Sequence, residues 1–283
     1  MSRGETAVRP GPLWSLGLLR SELGAVLRRR RTLVLLAVLA AVPVLVGVAV
    51  KAQTHGGHGG GPAFIAEVTG NGLFLVFTSL AVTLPFFLPM AVGVVAGDAV
   101  AGEASAGTLR YLLVAPAGRT RLLVVKFVSV LVFCAVATAV VALFALLAGA
   151  VLFPLGDVTL ISGTTVPFTD GLLRAALIAA VVALSLTGVA ALGLFVSTVT
   201  DSGIAAMATT VGVVITAQIM DGVPQLHAVQ PYLFPHYWFS FADLLRSPVP
   251  WDGLRRDLGS QALYVAVFGS AAWARLTTRD VTA

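Results

Sequence analysis

Six apolar stretches long enough to span a membrane contain no Asp, Glu, Lys or Arg: residues 32–50, 68–97, 127–156, 175–200, 202–220 and 258–274. Each is overwhelmingly apolar, and polar residues collect in the gaps between them. A membrane-crossing helix needs about 17–25 apolar residues. The pattern therefore predicts an all-α polytopic membrane protein with six transmembrane helices. They are expected at about 32–50, 71–97, 122–153, 172–199, 203–221 and 258–275. The last run, 17 residues long, is marginal, and the two 30-residue runs are long enough to tilt or to begin in an interfacial or re-entrant segment. Pro85 and Pro89 are expected to kink the second span, because each removes a backbone donor. The first run, at 19 residues, exceeds the roughly 7–15 of a signal-peptide core and reads as a retained span.

The gaps carry their own patterns. Leu16, Leu19, Leu23 and Leu27 recur at helical spacing, with Arg20 and Glu22 off that stripe. Residues 13–30 thus read as an amphipathic helix along the inner membrane surface, rather than as an extension of span one. The first outer gap, 51–67, holds His55 and His58 among glycines. Two imidazoles alone make a weak metal site, so the gap reads as a flexible linker. Residues 222–257 combine Tyr232, Phe234, Trp238, Phe241 and Trp251 with five prolines at 224, 231, 235, 248 and 250. Aromatic side chains favour the membrane interface, which predicts outer interfacial or re-entrant helices before the last span. His227 and His236 in this segment read as ordinary interfacial polar residues.

Composition agrees with this picture. Of 283 residues, 58% are hydrophobic and 11% charged, and the mean hydropathy is +0.95. Soluble domains carry about 25% charged residues. The single cysteine, Cys134, lies within an apolar run and supports neither a disulfide framework nor a thiolate metal site. The net charge of +5 comes from 18 Lys and Arg, and a cytoplasmic N-terminus puts 13 of them in inside segments. The run Arg28–Arg31 directly precedes span one. By the positive-inside rule, both termini belong in the cytoplasm; the plasma membrane is the expected location. The basic balance is then the flank of membrane spans, with no nucleic acid implied.

Several chemistries lack their residues. A phosphate-binding loop needs Gly-x-x-x-x-Gly-Lys, but neither Lys51 nor Lys126 follows a glycine. The longest cytoplasmic gap between spans, 98–121, has 24 residues, too few for an ATPase domain. No zinc-protease helix and no nucleophile elbow with a partner histidine is present. No Asp or Glu falls in the middle of an expected span, where an ion-coupled carrier usually places one. The chain is read as no enzyme, with no catalytic residue, no metal and no cofactor of its own. Energy for active transport has to come from a partner.

The gap at 98–121 is the exception to this blandness. With the residues that follow, it reads Gly-Glu-x-x-x-Gly-Thr-Leu-x-x-Leu-Leu-x-x-Pro-x-x-Arg-x-x-Leu-Leu-x-x-Lys over residues 102–126. Gly102 and Gly107 allow tight turns, Thr108 can cap a short helix, and Leu109, Leu112 and Leu113 form one apolar stripe. Pro116 ends that helix, and Arg119, Arg121 and Lys126 hold the start of span three at the interface. Glu103 is an acid in a cationic zone, suited to a salt bridge with a partner or a nearby arginine.

This spacing resembles the cytoplasmic coupling segment of ABC type-2 permeases, the membrane halves of ATP-driven exporters. The resemblance covers most of the chain, 1–283, as a single permease domain. It implies that two six-span subunits, identical or paralogous, pair in the membrane and that two separate ATPase subunits dock beneath them and use ATP and Mg. Gly102, Glu103, Gly107, Thr108, Leu109, Leu112, Leu113, Pro116 and Arg119 are then the ATPase-coupling residues. Spans two and five line the path in that family. Here their polar residues are Asn71, Thr78, Ser79, Thr83, Thr209, Thr210, Thr216 and Gln218. Each Ser or Thr can equally bond its own helix backbone. Such an uncharged path suits hydrophobic or lipid-linked cargo. A passive channel, an ion-coupled carrier and a non-transporting mechanotransmission subunit remain the alternatives.

Overall fold

The computed structural model describes residues 13–55, 68–105, 107 and 118–278, excepting the side chains of residues 13–16, 54 and 55. The chain forms helices α1 (Leu13–Arg28), α2 (Arg30–His55), α3 (Phe74–Thr83), α4 (Phe87–Ser105) and α5 (Arg119–Leu152). A two-stranded hairpin follows, β1 (Val158–Thr159) and β2 (Thr165–Val166), with Val158 opposite Val166. Then come α6 (Phe168–Ser185), α7 (Thr187–Val199) and α8 (Gly203–Asp221). Three 3₁₀ segments, Pro224–Leu226, Gln230–Tyr232 and Trp238–Leu245, lead to α9 (Asp252–Thr278). The protein is an all-α polytopic membrane protein in architecture, with the small hairpin as its one β element among the described residues.

Five segments are long and apolar enough to cross a membrane: Arg30–Gln53, Phe87–Ser105, Arg119–Leu152, Phe168–Val199 and Gly203–Asp221. Residues 258–275 are helical throughout within α9. Their Gln, Arg, Gly and Ser residues make them less apolar than those five.

The expected second span is two helices rather than one kinked helix. α3 stops at Thr83 and α4 starts at Phe87, with Pro85 in the break. Gln218 of α8 donates to the Pro85 carbonyl at 2.7 Å and so satisfies a group that the break exposes. Pro89 breaks nothing. It occupies the third position of α4, where a backbone N–H has no partner within the helix. The aromatic segment before α9, expected as short outer helices, forms three short 3₁₀ helices. Phe234, Trp238 and Phe241 are buried, whereas Tyr232, Phe239 and Trp251 remain exposed.

α4 and α5 form the centre. α4 packs against α7, α8 and α5, while α5 also meets α1, α2, α3 and α6. One apolar core runs through Leu39, Leu80, Val92, Phe133, Ile178 and Trp238. Small residues let α4 and α8 approach closely. A Cβ at Gly97 would lie 2.9 Å from both the N and Cα of Met207, so only glycine fits there. Such small-residue contacts are how helices associate in lipid, where burial from water cannot drive them together. α5, at 34 residues, extends about 51 Å at 1.5 Å per residue. That exceeds a hydrocarbon layer of about 30 Å, a mismatch a helix takes up by tilting or by projecting beyond the layer.

Candidate functional site

One end of the bundle gathers the basic residues. Lys126 of α5 lies 2.5 Å from Oε1 of Glu103 in α4 and 3.4 Å from Oε2 of Glu22 in α1. Its side chain is 3% exposed. A buried ammonium is tolerated only when paired and hydrogen-bonded, and here two carboxylates face it. Glu103 sits in the last turn of α4 and Lys126 in the third turn of α5. The pair therefore joins the two helices that enter and leave the segment between residues 105 and 119.

The start of α5 is held from a second side. Arg119 donates from Nη1 to the Thr277 carbonyl at 2.9 Å and to the Leu276 carbonyl at 3.4 Å. A cation at the last carbonyls of α9 also suits the negative end of that helix. Trp273 Nε1 donates to Thr120 Oγ1 at 2.9 Å. Below these contacts, Val100, Leu123, Leu194, Ala272 and Leu276 form a small apolar cluster.

A second charged group lies beside the first. Asp98 Oδ2 accepts from Arg29 Nη1 at 2.7 Å and from Arg31 Nη2 at 3.2 Å. Thus the junction of α1 and α2 is tied to α4. A Cβ at Gly102 would run into the Asp98 carboxylate, so glycine keeps the clamp's geometry. Next to it, Ser197 of α7 accepts from the backbone N–H of Val100 and Ala101 at 2.9 and 2.8 Å. Between the two charged groups lies a cleft. Val26, Leu35, Val94, Val95 and Val130 form its apolar wall, and Glu22, Arg29, Arg31, Asp98 and Lys126 its polar side.

The expected coupling residues fall into three sets. Gly102 lies within helix α4 and makes no turn, contrary to expectation; its role is the close approach to Asp98. Gly107 has φ of 71°, in the left-handed region, and so does Gly118 at 72°, immediately before α5. Gly107 lies in a turn, and Gly118 in irregular backbone. Thr108, Leu109, Leu112, Leu113 and Pro116 lie outside the described residues. Glu103, expected to pair with a partner or a nearby arginine, forms a salt bridge to Lys126 of its own chain among the described residues. Arg119, expected to hold the start of span three at the membrane interface, binds the last carbonyls of α9. The sequence reading placed Glu22 off the packed stripe of α1, yet its carboxylate faces Lys126 and is 15% exposed. Its position four residues before Val26, which lines the same cleft, is the signal that marks this face.

None of the expected path residues lines the cleft described above. Asn71 is structural: its Nδ2 donates to the carbonyls of Gly156 and Asp157, and its Oδ1 accepts from Leu73 N. Thr83 and Thr210 are fully buried and donate to carbonyls of their own helices. Ser79 is buried too, and its hydroxyl has no hydrogen-bond partner among the described residues. Thr78 is half-buried, and Gln218 supports the Pro85 break. Thr209 and Thr216 are exposed on α8, where Thr216 donates to Gly212 O.

Two buried acids, Asp98 in the clamp above and Asp257, carry no signal in the sequence. Asp257, in the second turn of α9, is 1% exposed. It accepts from Ser185 Oγ at 2.5 Å and from Gln261 Nε2 at 3.1 Å. Gln261 also donates to Phe234 O and accepts from Gly188 N. Ser185 and Gly188 flank Leu186, where α6 gives way to α7. The network thus locks α9 and the aromatic segment onto the break of the fourth apolar segment. Nearer the same end of the bundle, His236 Nδ1 lies 2.6 Å from Asp221 Oδ1. His58 and the side chain of His55 lie outside the described residues.

Comparison with curated proteins yields no match. A family model described as "Protein of unknown function (DUF2705)" matches residues 35–282, nearly the whole chain. The chain belongs to the DUF2705 family.

Proposed function

We propose that the chain is the membrane-spanning permease subunit of an ATP-binding cassette exporter. In this reading it crosses the plasma membrane six times, with residues 258–275 of α9 as the sixth span and both termini in the cytoplasm. A second permease copy or paralogue completes the translocation path. Two separate ATPase subunits use ATP and Mg and dock at residues 98–121, while this chain binds no cofactor itself.

One observation carries the reading: the buried Glu103–Lys126 pair, at 2.5 Å, ties together the two stems of the segment that resembles a coupling element. A coupling element must pass a partner's displacement to the bundle without folding up itself. A loop on two independent helix ends would absorb that displacement. Here the stems are joined to each other, to α1 through Glu22 and to α9 through Arg119. Movement imposed at the segment would shift α4 and α5 as one body. Affinity recovery of the tagged chain from its native membrane tests the reading. A P-loop ATPase recovered with it in near-equal amount is the expected result.

A second reading is favoured by Asp257. Ion-coupled carriers place ionisable groups beside broken helices. Asp257 is buried against the α6–α7 break, with Ser185 and Gln261 as its bonded partners. Transport driven by an ion gradient in vesicles, without ATP, would establish this second reading in place of the first.

A further inference from the structure

We propose that the cleft between α1, α2, α4 and α5 binds one anionic phospholipid, its phosphate on Arg29 and Arg31 and an acyl chain along Leu35, Val94 and Val95. The inference is independent of the exporter reading and concerns a different feature from the coupling stem.

The cleft has two chemistries in a fixed order. Arg29 and Arg31 sit where the first apolar segment begins, Arg30–Gln53. That is the depth of lipid headgroups, where basic residues collect beside a hydrocarbon layer. Leu35 lies about one helical turn further along α2, and Val94 and Val95 face it from α4. A phosphate with an attached hydrocarbon chain matches that order.

Charge is left over for the phosphate. The cleft lining holds three cations, Arg29, Arg31 and Lys126, against two carboxylates, Glu22 and Asp98. Asp98 Oδ2 is shared by both arginines, and each contributes one nitrogen to it. A guanidinium has five N–H donors in a planar fork. The side chains remain 43% and 62% exposed, so their other donors face outward. Arginine forks match phosphate oxygens in geometry as well as charge. A free phosphate would use the arginines and leave the valine wall idle, whereas an uncharged lipid would do the reverse.

Native mass spectrometry of the detergent-purified full chain tests this, titrating phosphatidylglycerol, phosphatidylcholine and inorganic phosphate separately. The expected result is one retained phosphatidylglycerol, little phosphatidylcholine and no displacement by millimolar phosphate. R31Q should bind phosphatidylglycerol about fivefold more weakly, the loss expected for one arginine at an anionic surface. R20Q, an exposed arginine on α1 outside the cleft, should bind as the unsubstituted chain does. V94W, which fills the apolar wall and leaves both arginines, should also weaken binding. Equal retention of both lipids, equal effects of R31Q and R20Q, or unaltered binding by V94W would overturn the proposal. Full displacement by inorganic phosphate would show an anion site without a lipid chain and would overturn it too.

Discussion

Glu103 and Lys126 stand 2.5 Å apart across the stems of one polar segment, with Glu22 of the surface helix as the third member of the cluster. Breaking a buried pair from one side typically costs about 3–5 kcal/mol, because a charge is left without its partner. Glu103→Lys would set two ammonium groups against each other. We expect it to lower the thermal stability of the purified protein and to abolish partner-dependent activity. The exchange E103K/K126E should recover much of the stability, since the pair is re-formed with its sense reversed. If the exchanged protein is as unstable as E103K, the pair is not what joins the stems. If it is stable yet remains inactive, Glu103 acts by direct contact with a partner.

Gly97 and Gly212 make a matched pair of helical glycines. At Gly97 a methyl group would meet the Met207 backbone at 2.9 Å, whereas at Gly212 nothing lies within 4 Å. G97A should force α4 and α8 apart and lower the melting temperature. G212A should leave it unchanged or raise it slightly, as alanine favours an open helix by roughly 0.5–1 kcal/mol. A second chain packed on α8 would reverse the G212A outcome, so the measurement is best made on monodisperse protein of known oligomeric state.

Asp257 separates the two functional readings. Asparagine keeps the size of the side chain and can still hydrogen-bond Ser185 and Gln261. D257N should therefore fold and, in an ATP-driven permease, transport normally. In an ion-coupled carrier it should abolish transport at unchanged expression. D257A leaves buried polar partners unsatisfied, a loss of about 1–3 kcal/mol, and should destabilise under either reading.

His55 and His58 are expected to be dispensable. The double substitution H55A/H58A should leave transport and stability unchanged, measured with and without added Zn²⁺. Loss of activity, or a zinc-dependent melting temperature lost in the variant, would assign the pair a metal.

Hydrophobic patterning made most of the helices legible, because long charge-free runs have few alternatives to a membrane helix. It read the second span as one kinked helix, since periodicity does not distinguish a kink from a full break. At the break the Pro85 carbonyl is bonded by Gln218, a residue 133 positions away. Pro89, only four residues on, is harmless because of where α4 happens to start. The charged end was legible as a list of residues and not as pairs. Nothing local to Lys126 reveals that its partners are Glu22 and Glu103, because both contacts cross between helices. Asp257 was overlooked for a related reason. It borders a charge-free run, and only the fold turns it inward to Ser185.

The most direct test of the central claim is recovery of the tagged chain from its native membrane in mild detergent, with mass spectrometry of the accompanying proteins. A near-stoichiometric subunit carrying a P-loop is expected, lost or reduced when Glu103 is replaced by Lys. Repeated recovery of the intact chain with no ATPase, in several detergents and in nanodiscs, would contradict it.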